Sequence, residues 1–194
     1  MKRVWWWRPV SASLAAATLV ALGASSPARA EEAFPQVDCA NLENIRIADL
    51  GQYDFTSCAA EDHQGRATEG PVGSSHEMLI AVNRATFVAV RYLEANRYTY
   101  FDIDGVADFV PNVLEMPMRN WGDQREHGRF IVAPVEAKIS DDSPYLSCFG
   151  YVSRWGPVAR APGYKYGLGG LYCALDTLTP TDREFEEFLD GVAF

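Results

Sequence analysis

Four cysteines, at positions 39, 58, 148 and 173, stand behind a leader with the marks of an export signal, and together they constrain the fold more than any other feature. Basic Lys2, Arg3 and Arg8 precede an apolar stretch from Val10 to about Ala24, which gives way to Ser25-Ser26-Pro27 and Ala28-Arg29-Ala30. A basic region, a short apolar region and a small-x-small site in that order predict a cleavable signal peptide over 1–30, cut after Ala30. A membrane anchor would need ~20 apolar residues, and Arg8-Pro9 with several small polar residues interrupts the run. Residues 31–194 are therefore expected to form a single exported domain, periplasmic or extracellular and of bacterial type, with no membrane span after cleavage.

In an oxidising compartment an even cysteine count reads as disulfides. Four cysteines allow three pairings, and spacing favours Cys39 with Cys58 and Cys148 with Cys173. Each bridge stabilises by ~3 kcal/mol for loops of this size. Zinc sites draw on C-x2-4-C pairs, which are absent here. The second bridge also has a register argument. Residues 145–155 and 166–175 both read as strands, with Gly156-Pro157 and Ala161-Pro162-Gly163 as turn chemistry between them. Placing Cys148 opposite Cys173 puts Trp155 opposite Tyr166 and leaves Gly156 to Lys165 as the loop.

Elsewhere the pattern predicts helices. Ser74 with Glu77 has the form of a capping box, and the apolar residues from Met78 to Leu93 cover more than half a helix circumference, so a long central helix is expected from Ser74 to about Asn96. A short helix is expected from Asp104, bent or ended by Pro111. Thr181 and Glu184 form a second capping box, and Phe185, Phe188, Leu189 and Val192 follow at amphipathic spacing. Pro134 confines the strand from Phe130 to Ser140 to an edge or a bulge. The expected class is α+β: an antiparallel sheet of about three to five strands packed with the long central helix and a C-terminal amphipathic helix, held by two disulfides.

No catalytic template is complete. His76-Glu77 begins a zinc-protease motif, but Ile80 stands where the second histidine belongs. Asp102-Ile103-Asp104-Gly105 lacks the outer ligands of a calcium loop. Ser153 misses the nucleophile elbow by spacing. Gly167-Leu168-Gly169-Gly170 lacks the last glycine of a dinucleotide fingerprint; these glycines suit a bent strand or a large ring lying across it. No metal and no cofactor are expected.

Two segments suit binding. Arg119 to Arg129 gathers Arg119, Trp121, Arg125, His127 and Arg129, side chains that make interface anchors and anion or sugar contacts. The hairpin holds Tyr151, Trp155 and Tyr166 among other rings, suiting a carbohydrate or a protein surface. Of 17 basic residues the leader holds four and no acidic residue accompanies them, so residues 31–194 keep 13 basic against 26 acidic, a charge of −13. That balance disfavours nucleic acid and favours a basic protein or peptide, with envelope carbohydrate as the other candidate partner. The expected role is a non-enzymatic binding or interaction protein of the cell envelope. The alternative is a small secreted hydrolase using His63, His76 or His127 with nearby carboxylates as acid and base.

The mature protein should begin at Glu31, and non-reducing peptide mapping should recover the 39–58 and 148–173 bridges. A bridge between Cys39 and Cys148 would overturn the hairpin register.

Overall fold

A computed structural model describes residues 35–62, 75–95, 100–159, 163–175 and 179–194. Its centre is a nine-stranded antiparallel sheet: β1 (Gln36–Val37), β3 (Phe55–Asp62), β4 (Ser75–Val82), β5 (Thr86–Glu94), β10 (Tyr164–Ala174), β9 (Leu146–Pro157), β8 (Phe130–Ala137) and β6 (Met118–Arg119) in that spatial order, with β7 (Arg125–His127) also on β8. β2 (Arg46–Ile47) and β11 (Val192–Ala193) form a separate two-stranded sheet. The helices are α1 (Val106–Leu114) and α2 (Asp182–Asp190).

This corrects the α+β expectation: the protein is mostly β, and the long central helix does not exist. Residues 75–94 are the hairpin β4–β5, turned at Asn83, whose Oδ1 accepts from the amides of Ala85 and Thr86. The error has a physical cause. β5 is buried on both faces, Val88, Val90 and Tyr92 toward one cluster and Phe87, Ala89 and Leu93 toward the other. A strand covered on both sides loses its polar alternation, and its apolar run imitates a helix apolar all round. Glu77 does not cap a helix. Its buried carboxylate accepts from the amides of Glu43 and Asn44, at 2.9 Å each, and from Asn44 Nδ2 at 3.0 Å, pinning the N-terminal arm to β4. Ser74 lies outside the described residues.

The hairpin of β9 and β10 has the expected register. Cys148 pairs with Cys173 and Trp155 with Tyr166, and the ladder continues to Pro157 and Tyr164, so the loop is shorter than expected. Both disulfides join the expected partners. Pro134 lies on β8 where the outer edge is divided between β7 and β6. Its carbonyl faces outward and accepts from the amide of Gly122 at 2.9 Å, so the N–H that proline lacks is not missed by β9. The connection before β8 is less irregular than its sequence suggests, since it contributes β6 and β7.

The two faces are covered differently. α1 packs Val106, Phe109, Val110 and Val113 on the face of Phe87, Ala89, Val152 and Leu171. It starts at Val106, whose amide donates to Gln124 Oε1 at 3.0 Å, and passes through Pro111. Arg91, reaching up from β5, donates to the Val113 carbonyl at its end, placing a cation where the helix dipole favours one. The other face carries Val90, Phe149, Tyr151 and Leu168, covered by α2 and by the arm from residue 35 to Tyr53. The capping box at Thr181 is present, with Glu184 accepting from the Thr181 amide and the Thr181 hydroxyl accepting from the Glu184 amide. Phe185 is fully buried and stacks on Phe149 with centroids 4.5 Å apart.

Phe185→Ala should cost about 3–5 kcal/mol, read as a lowered urea midpoint. A loss below about 1 kcal/mol would show that α2 does not seal this face.

Candidate functional site

The basic segment is divided by the sheet. Trp121 joins the α1-side cluster and lies against Gly150, where a Cβ would sit 2.8 Å from the indole. Arg119, on β6, pairs with Glu136 across the ladder at 2.8 Å and lies 3.7 Å over the Tyr145 ring. The hydrogen bond from Arg119, then one from Asn120, holds the Glu136 carboxyl below its ordinary value.

Arg125, His127 and Arg129 instead meet the C-terminal segment. Arg125 contacts Asp182 at 2.8 Å and Glu186 at 3.6 Å; His127 lies 3.3 Å from Asp190 and 3.7 Å from Glu186. Arg129 donates to the Val192 carbonyl at 2.6 Å and lies 3.8 Å over Phe194. Phe194 stacks on Trp155 at 4.3 Å, and Trp155 on Tyr166 at 5.5 Å. The structure thus brings Arg129, Trp155 and Tyr166 into one cation–aromatic stack closed by Phe194. Tyr151 is apart from it and fully buried, its hydroxyl donating to the Ala89 carbonyl at 3.4 Å.

Of the histidines of the hydrolase alternative, His76 and His127 do not meet. His76 is buried on the α1 side, opposite Leu93 on the ladder, with its Nδ1 3.4 Å from Arg91 Nη2. His127 lies beside α2, and His63 is outside the described residues. Among the described residues no group of three or more His, Cys, Asp or Glu side chains is placed to hold a metal ion.

A concave site lies elsewhere, where the arm and α2 meet over the sheet. A cavity of about 310 Å³ is lined by Asp49, Tyr53, Asn83, Tyr172, Glu184 and Glu187 among others. A second of about 200 Å³ shares Thr86, Tyr172 and Glu184 with it, so the two are parts of one groove with Tyr172 between them. Burial, with the neighbouring Tyr172 adding to it, pushes the Tyr53 phenol up to about 12. The Tyr172 phenol is also raised, chiefly by burial, against a hydrogen bond with Thr86 that lowers it. Bonds from Thr181 backbone and side chain hold the Glu184 carboxyl below its usual value. At neutral pH the groove therefore presents neutral phenols beside the ionised carboxylate of Glu184. Tyr172 was visible in the sequence as one of the hairpin's rings, but the groove draws on the arm, the β4–β5 turn, β10 and α2, and no local spacing announces it.

The Tyr53 shift has a consequence in alkali. The phenol ionises near 10 in the unfolded chain and about 12 in the folded one, so stability is intact below pH 10 and falls as pH rises toward 12. Tyr53→Phe should flatten that fall, measured as urea midpoint against pH; an unchanged slope would show that the ring is not buried in solution. Compared with known proteins, the chain matches no family model, no curated protein and no solved structure.

Proposed function

We propose that residues 31–194 form an exported, disulfide-stapled binding domain of the cell envelope, and that its ligand surface is the groove between the N-terminal arm and α2. The observation that carries this reading is the groove's make-up: two tyrosines with amide and carboxylate side chains converge on a concavity of about 310 Å³, the lower end of the ~300–1,000 Å³ range of small-molecule sites. Export is supported by the leader's pattern and by the two bridges. Among the described residues no helix is long and apolar enough to cross a membrane.

The side chains of residues 125–129 are weaker candidates for the ligand surface, because Arg125, His127 and Arg129 already serve the C-terminal segment. A partner would have to displace those contacts before using the charges.

Small molecules retained from envelope extract by the wild-type protein should be lost by Tyr172→Ala with its circular dichroism unchanged, and kept by Arg125→Ala. Retention lost by Arg125→Ala and kept by Tyr172→Ala would move the site to β7.

A further inference from the structure

We infer that the groove takes a small organic ammonium ion, its charge held between the rings of Tyr53 and Tyr172 and the carboxylates of Asp49, Glu184 and Glu187. This rests on the groove being the ligand site and goes on to name its ligand class.

The cavity is walled on the arm side by Asp49 and Tyr53 and on the α2 side by Glu184 and Glu187, with Tyr172 on the sheet between them. Among the described residues no lysine, arginine or histidine lines it. Glu187 meets Arg183 at 2.8 Å, and Glu184 spends Oε2 on the Thr181 cap, so two of the three acids are partly engaged. Asp49 gives no side-chain hydrogen bond to the turn it begins. An anionic ligand would face three carboxylates, of which only Glu187 has a cation, Arg183, beside it. A neutral polyol could bond to the walls but would leave their field unmatched. An ammonium ion satisfies both features, since tyrosine faces attract cations through the ring quadrupole and carboxylates attract them by charge. The cavity volume admits one such group and excludes a folded polymer.

Amide NMR of the mature protein, titrated with choline and ethanolamine, should show saturable shifts at Asp49, Tyr53, Thr86 and Tyr172. The uncharged alcohol in which carbon replaces choline's nitrogen should not shift them, nor should acetate. Tyr172→Ala should weaken the ammonium ligand about tenfold, and Glu187→Gln, an exposed change that spares the core, should weaken it by about threefold. If the uncharged alcohol or acetate shifts the groove as well as choline does, the ammonium assignment fails and the groove reading stands. If none of the probes shifts groove residues, the assignment fails, and retention by Tyr172→Ala in the extract screen then decides whether the groove fails with it.

Discussion

The sheet depends on one strand being thin enough to be covered twice. β10 lies at its centre between β5 and β9, and carries glycine at 167, 169 and 170. On the α1 side, a Cβ at Gly167 or Gly169 would fall within 2.9 Å of the Phe109 ring. On the other side, a Cβ at Gly170 would meet the Ala89 carbonyl at 2.1 Å and the Tyr151 hydroxyl at 2.4 Å. Two large rings thus lie flat on opposite faces of the same strand. At Gly170 the obstructions are a backbone carbonyl and the buried Tyr151 phenol, and at Gly167 and Gly169 chiefly the buried Phe109 ring, so no side chain can be added without moving a neighbour.

That arrangement explains which parts of the fold were legible. The β9–β10 register was readable because a covalent pair fixed one rung and ring-rich strands extended from it, and the glycines were correctly suited to large rings. α2 was readable because capping and spacing are local, and its outer face meets solvent. The β4–β5 hairpin was not. Of its strands β5 lies next to β10 and β4 next to β5, covered on both faces, so Leu79, Ala81, Val88 and Ala89 are all apolar without alternation. Helix and two-sided strand then differ only in the turn, and Asn83-Arg84-Ala85 is a faint signal beside a capping box that Glu77 happened to complete. Glu77 is buried for a reason unrelated to helix capping: it holds the amides of a segment more than thirty residues earlier.

The candidate site was less legible because local composition does not reveal neighbours. The basic cluster at 119–129 stands out in an acidic chain, and binding was a reasonable inference from it. Within the chain, two members of the cluster, Arg125 and His127, meet α2, whose Asp182, Glu186 and Asp190 face β7. These pairs are largely exposed and individually weak, and the anchoring of α2 comes from Phe185 and Leu189 beneath them. The charges set which way the helix lies; burial sets that it lies there at all.

The same contrast locates the groove. The α1 face is closed by α1 lying across four strands, with Phe101, Ile103 and Trp121 packed beside it. The opposite face is closed by two segments from opposite ends of the domain. The arm is tied down by the Cys39–Cys58 bridge and by Glu77, and α2 by its own apolar stripe. They meet where β2 pairs with β11 and the Ala48 amide donates to the Gly191 carbonyl at 2.9 Å. Beyond that join the two covers diverge, and Tyr172 is left at the floor of the gap. A seam between separately anchored pieces must satisfy its polar groups from solvent or ligand, because neither piece can reach across it. Tyrosines, amides and carboxylates collect there for that reason.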